Sequence, residues 1–370
     1  MSFRRGSSRP RLMSCSSTTL LTAKADREPV CVLVETHSLE IDKLREGLLA
    51  EMKSDVPEFV DDLFLLRYVL SNLSKPDKML PMALKAVQWR MENADIIAAA
   101  RSRSYAKLGL TVRELRAADL FQPARYLGAT TCGDPMVFVR PAAVNQSALM
   151  DILSEEALHK LVTFFNEIAW DYCNMETRRR GYMVKQYTFV DCTNATLIYD
   201  RRFINVIGKV SKQNEWLRPQ LLAKSVILNP PSWVRAGFAV AELFVSRKAM
   251  AKVALYSPPV NEAEGGVLAK QFVADQAQWP KFLGGSGVFP ELLLEPACPD
   301  DLKDHSCEMS TMKYLPRPAS TSDVKPLRLS SKGIAAKPRA LASWQQRCLF
   351  SCFSIAVALC TPRASRSWLM

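Results

Sequence analysis

The chain is 370 residues long, 48% hydrophobic and 23% charged, with a formal net charge of +12 and only 14 glycines. That length and apolar content suit one large domain with appendages or two smaller domains, and the charged share excludes wholesale disorder. The charge invites a nucleic-acid or anionic-membrane partner, but its distribution argues against the first. Residues 1–30 hold six Lys/Arg against two Asp/Glu, and residues 300–370 hold eleven against five, which leaves 31–299 near neutral at 32 against 30. A nucleic-acid binder sets basic residues among aromatics on a folded face. Here they sit in Ser/Pro-rich flanks, so no nucleic-acid partner is expected.

Residues 1–34 read as a basic leader. Residues 1–25 are rich in Arg and Ser and contain no acid, a composition shared by organelle transit peptides and by plain flexible leaders. Residues 35–100 read as a helical module. Leu39, Leu44, Leu48 and Leu49 recur near helical spacing over 36–53, and a second helix is expected over 57–71. A third spans 77–93, with Leu80, Ala83, Leu84, Val87 and Met91 as one stripe; Pro81 is expected to delay its start.

Residues 101–292 follow a different pattern. Met136–Val139 is a strand-like run. Ser154 then opens a long helix to Arg179, with acids at its start and Arg178-Arg179-Arg180-Gly181 as its stop. Short β-rich runs follow at 187–191, 225–228 and 253–256, separated by helices. Strands alternating with helices predict an α/β layer on a mainly parallel sheet. After Asn229-Pro230-Pro231, Ser232 can cap a helix over Trp233–Val245 whose only charges are Arg235 and Glu242. A helix apolar on nearly every side is either core or faces lipid. Residues 293–370 read as a Pro/Ser-rich basic tail. Its apolar run Cys348–Cys360 falls short of the ~20 residues needed to cross a membrane.

Little in this chain points to catalysis. No G-x-G-x-x-G, Walker A or G-x-S-x-G pattern occurs. Three isolated histidines and ten cysteines without a CxxC pair offer no metal half-site. Asp191, at the end of an apolar strand, is the one carboxylate placed for chemistry, and a turn-anchor role competes with that reading. The expectation is a protein that is not an enzyme and needs no cofactor or metal.

Several short motifs share a family order. Asp62-Leu63-Phe64-Leu65-Leu66-Arg67-Tyr68 matches a "D-x-x-L-L-R-F" run, and Gln88-Trp89-Arg90 an "E-W-R" helix end. Phe189-Val190-Asp191 matches "V-x-D", and Ile227-Leu228-Asn229-Pro230-Pro231 matches "I-I-N-A-P". Phe244 and Lys252 fall where "P-F-L…K-I" is found, and Pro280–Gly285 matches "P-x-x-L-G-G". In this order the chain resembles the CRAL-TRIO family of lipid-binding and lipid-transfer proteins, over about residues 40–290.

The resemblance implies a helical module followed by a sheet floor and helical walls around one apolar cavity. Trp233–Val245 takes the place of the gate helix, so Trp233, Val234, Phe238, Leu243 and Phe244 are expected to line the cavity or touch a bilayer. Lys252 and Gln220 are the expected headgroup residues. The implied partners are a phospholipid or other hydrophobic ligand and an anionic membrane surface, approached by a monomer that is cytoplasmic and peripheral. Members that bind phosphatidylinositol carry Glu where this chain has Gln220, Thr where it has Ala249, and an Arg-Lys pair where it has Asn72-Leu73. These departures remove most of the charge-assisted donors and acceptors that an inositol phosphate needs. The "D-x-K-G" turn reads Asp191-Cys192-Thr193-Asn194, where Asn tolerates the left-handed backbone of the family glycine. Two alternatives remain: a scaffold that uses the same module for membrane recruitment without lipid exchange, and a nucleic-acid binder led by its basic ends.

Overall fold

Residues 27–52, 55–102, 104–120, 124–130, 132–195, 200–232, 252–256 and 286 are described by the structure, a computed structural model. The first element is α1 (Val30–Thr36), which lies largely within the stretch assigned by composition to the leader. It is tied down where the leader was expected to end: Val30 N–H donates to the Gly181 carbonyl at 2.8 Å, and Pro29 forms an isolated bridge with Tyr182. Three helices follow, α2 (Ser38–Met52), α3 (Asp62–Asn72) and α4 (Met79–Glu92).

Local chemistry sets their limits. α3 starts at 62 rather than 57 because Asp61 is its cap, accepting the Phe64 N–H at 2.9 Å. α4 starts at Met79, two residues after the expected 77, which agrees with a start delayed by Pro81. Pro81 falls in the first turn, where its missing N–H would have no intrahelical partner in any case. The buried face of α4 is Met79, Ala83, Ala86, Val87 and Arg90, so the stripe is rotated from the one expected and Met91 is 54% exposed. In α2, Ile41, Leu44 and Leu48 are buried, whereas Leu39 and Leu49 face solvent. These helices share one core, to which Met183 and Leu217 of the second half contribute.

The second half adds α5 (Ala94–Ser102) and α6 (Val112–Leu120), and then a five-stranded sheet. Its strands are β1 (Ala124–Ala129), β2 (Pro135–Val139), β3 (Gln186–Asp191), β4 (Leu222–Leu228) and β5 (Val253–Leu255), hydrogen-bonded in that order. β2 to β5 pair in parallel and β1 is antiparallel at the edge. The connections contain α7 (Gln146–Met150), α8 (Glu155–Arg180) and α9 (Arg201–Leu217). The long helix ends as its residues dictate. Ser154 Oγ accepts the Ala157 N–H at 3.0 Å, and Gly181 closes it at φ 74, a conformation that costs other residues more.

Successive side chains of a strand point to opposite faces. Val137, Val139, Val190, Ile227 and Val253 point to one face and join the core beneath α5, α8 and α9. The alternate set faces the other way: Met136 pairs with Tyr187, Phe138 with Phe189, Phe189 in turn with Val226, and Asp191 with Leu228.

Candidate functional site

The second face of the sheet is apolar across three strands. Met136, Phe138, Phe189 and Leu228 are fully buried and Val226 nearly so. None of them joins the cores made by the described helices. This face is the candidate floor of a cavity. Polar groups are confined to its two ends.

At the ends where the parallel strands finish, Asp191 holds a turn together. Its Oδ2 accepts Arg140 Nε at 2.9 Å and Nη2 at 2.7 Å. Its Oδ1 accepts Thr193 N at 3.0 Å, Thr193 Oγ1 at 2.6 Å and Asn229 Nδ2 at 2.9 Å. A carboxylate so fully engaged is a turn anchor, and the competing reading of Asp191 as a chemical group is set aside. Asn194 adopts φ 59 and Asn229 φ 48, the left-handed backbone that asparagine tolerates.

At the opposite ends the strands begin, and here the structure brings Gln220 and Lys252 together. Gln220 lies two residues before β4, and Lys252 directly before β5, its carbonyl accepting Ser225 N–H at 2.6 Å. Lys185, directly before β3, joins them: its Nζ donates to Gln220 Oε1 at 2.6 Å. Gln220 Nε2 donates in turn to Ser71 Oγ of α3 at 3.2 Å, and Arg67 Nη1 to the Gln220 carbonyl at 3.2 Å. Gln220 has φ 61. A residue that is neither glycine nor asparagine holds such a backbone only when its surroundings impose it, and these bonds do so. The gate residues Trp233, Val234, Phe238, Leu243 and Phe244 lie outside the described residues.

Burial dominates the electrostatics of this end. Arg67 is fully buried, stacks over the Trp170 ring at 4.8 Å and donates Nη2 to Thr177 Oγ1 at 3.3 Å. With only neutral oxygens as acceptors, its guanidinium is pushed down to about 10 by desolvation. The Lys185 ammonium is pushed down to about 8, by burial first and then by the charges of Lys252, Arg67 and Arg27, with Asp134 opposing. Sequence reasoning missed Lys185 and the role of Arg67, because a single lysine entering an apolar strand carries no pattern and only sheet register places it beside Gln220.

The lysine value has a measurable consequence. Between about 8 and 10.5 the unfolded chain holds this proton and the folded protein does not. Stability therefore rises with pH across that window, by at most about 3 kcal/mol. In Lys185→Met the rise should flatten, which urea denaturation on both sides of the window will show; unchanged slopes would remove Lys185 as the cause.

Among the described residues, no group of His, Cys, Asp and Glu could hold a metal ion, and no helix is long and apolar enough to cross a membrane. Among the described residues, Cys31, Cys132, Cys173 and Cys192 form no disulfide with one another. Residues 123–285, which contain the whole sheet and both polar ends, match the model of the CRAL/TRIO domain. Over those residues the chain is similar to the CRAL/TRIO domain. The parallel strands with a helical N-terminal region are consistent with that fold. Among solved structures, the chain is similar to that of Sfh5, at 13% identity over 71% of this chain and 92% of that one, with a TM-score of 0.43. CRAL/TRIO proteins are in general lipid-binding carriers rather than enzymes.

Proposed function

We infer that this protein carries a phospholipid or other hydrophobic small molecule in a cavity floored by Met136, Phe138, Phe189, Val226 and Leu228, and moves it between membranes. The observation that supports this reading is the composition of that face: five large apolar side chains in register across three strands, outside the cores of the described helices, within residues similar to the CRAL/TRIO domain. Burying an acyl chain is worth about 0.8 kcal/mol per CH2. A bilayer offers the same chain a similar environment, so exchange between protein and membrane is nearly balanced and needs no catalysis. An apolar gate, expected at Trp233–Val245 from the resemblance, would lower the barrier by shielding the chain on its way.

The basic flanks fit the same picture. Each Lys or Arg near an anionic membrane surface adds about 1 kcal/mol of attraction, and the flanks carry most of the net charge. Lys252 and Gln220 then face the polar end of the ligand. Purified protein should carry lipid that organic extraction and mass spectrometry identify, and it should move that lipid between donor and acceptor vesicles. Protein that takes up no lipid from vesicles would overturn the reading; uptake without transfer would favour the membrane-recruitment alternative.

A further inference from the structure

One face of α1 and α2 is covered by no described element. Val32, Glu35, Leu39, Asp42, Glu46 and Leu49 follow one another at intervals of three and four residues, and all six are exposed. Helical hydrogen bonding runs on through His37, whose N–H donates to the Leu33 carbonyl at 3.1 Å and whose carbonyl accepts the Ile41 N–H at 3.0 Å. The six therefore form one stripe. A stripe of that period is the seam along which one helix receives another. The opposite face is already occupied: Leu33 and Val34 pack on the core of the helical module, and Ile41, Leu44 and Leu48 are buried in it. A single exposed leucine is ordinary. Here Val32, Leu39 and Leu49, at 40%, 62% and 44% exposure, share a row.

Charge restricts what can lie on this stripe. Asp42 pairs with Arg45 of its own helix at 3.0 Å, and Glu35 and Glu46 have no ion pair among the described residues. Residues 28–62 as a whole hold ten Asp/Glu against three Lys/Arg. A second copy of the chain would set like charges together, and an anionic membrane is repelled for the same reason. The fitting occupant is basic and apolar at once. One stretch of this chain has that composition. Residues 324–370 hold eight Lys/Arg and no acid, and within them the apolar run Cys348–Cys360 lies between Arg347 on one side and Arg363 and Arg366 on the other. The leader is basic as well, but it has no apolar run of that length. Residues 293–346 provide the reach. A coil of that length spans about 40 Å, whereas a body of ~230 residues has a radius of gyration of about 17 Å.

We propose that the α1–α2 stripe docks residues 347–363 of this chain's own C-terminal tail, its arginines meeting the carboxylates and its apolar run meeting Val32, Leu39 and Leu49. An anionic membrane presents the same chemistry, negative charge beside an apolar layer, so it competes for the segment. That consequence, unlike the docking, rests on the membrane-surface reading of the flanks given above. Each exposed ion pair contributes little in water, so the docked segment yields to a surface that offers many charges. The tail is held on the protein in solution and passed to a membrane on encounter.

Native thiols provide the test in the full, unaltered chain. Cys31 is exposed on α1 beside Val32, and Cys348 and Cys352 lie in the run. A disulfide forms only where the Cα atoms come within about 7 Å. After mild oxidation with copper phenanthroline at low protein concentration, digestion without reduction and mass spectrometry identify the links. Cys31 should join Cys348 or Cys352 over Cys298 and Cys307, tail thiols outside the run, by roughly 10-fold. Glu35→Lys together with Glu46→Lys should bring that preference below about 2-fold, and adding Arg347→Glu, Arg363→Glu and Arg366→Glu should restore it. Thermal melts confirm that the variants fold. Phosphatidylcholine vesicles containing phosphatidylserine should lower the yield of the link, and phosphatidylcholine alone should not. A link from Cys31 to Cys15 would hand the stripe to the leader, a Cys31–Cys31 dimer would hand it to a second copy, and equal linking to all tail thiols would leave it without an occupant; each overturns the docking. A link that anionic vesicles leave unchanged overturns the competition alone. No bound lipid enters the measurement, so failure here leaves the carrier reading intact.

Discussion

Replacing Glu167 by glutamine should lower the free energy of unfolding by about 3–5 kcal/mol. Glu167 of α8 lies between two buried guanidiniums, Arg90 of α4 and Arg218 just beyond α9. Arg90 donates to its Oε2 at 2.9 Å and its Oε1 at 3.2 Å, and Arg218 Nε to its Oε1 at 2.8 Å. Burial by itself would raise the Glu167 carboxyl, yet the two cations hold it below its ordinary value. Glutamine keeps the shape and removes the charge, leaving two desolvated guanidiniums facing each other. Denaturation in urea measures the loss.

A triple replacement, Arg90→Met, Glu167→Leu and Arg218→Met, should recover most of that loss, because a buried ionic trio gains little over apolar packing of similar volume. The pH dependence follows from the same shift. A depressed carboxyl contributes stability that is present above its unfolded value and is lost as pH falls through its folded value, below 4.5. The native chain should therefore lose its advantage over Glu167→Gln in acid. Equal stability at neutral pH would mean that the trio does not hold the helical module to the sheet. The Tyr68 hydroxyl, donating to the Trp216 carbonyl at 3.0 Å, is the adjacent polar link between the same two halves.

Features written into short stretches of chain could be read without the structure. α8 announced itself through a Ser cap, two opening acids, three closing arginines and a glycine. The strands 187–191 and 225–228 stood out as apolar runs, and both are fully or almost fully buried in the sheet. Features that depend on distant partners could not be read. β1 mixes Arg125 and Gly128 into six residues at an antiparallel edge, where only one neighbour constrains the pattern. α1 was absorbed into the leader because basic residues precede it, although Gly181, far along the chain, pins it. Leu39 and Met91 fit a helical period but face solvent, since exposed leucines are ordinary and the core selects one stripe among several.

The site divides in the same way. Gln220 and Lys252 are expected as site residues because they follow recognisable motifs, and both precede strands of the sheet. Lys185, Asp134 and Arg27 carry no motif, and the Arg27–Asp134 pair closes over a sequence separation of 107. Their significance appears only when parallel register lines up the residues that precede adjacent strands.

Substituting Phe238 and Leu243 together by aspartate should slow lipid transfer between vesicles by on the order of 100-fold. Burial of one such side chain contributes about 1.5–3 kcal/mol, so two that leave water as the gate meets the bilayer account for several kcal/mol of an exchange barrier. Aspartate removes that gain and adds the cost of desolvating a charge. The substitution changes no residue of the trio and none at the strand entries, so melting temperature and the pH response of Lys185 should be retained. A fluorescence-dequenching transfer assay, with total bound lipid measured alongside, separates the outcomes. Slower transfer with lipid still bound assigns these residues to the gate. Unchanged transfer would move the gate elsewhere, while loss of bound lipid with no loss of vesicle docking would shift the weight to recruitment. Serine at the same two positions is the milder control, expected to retain an intermediate rate because it removes the apolar contact without adding charge.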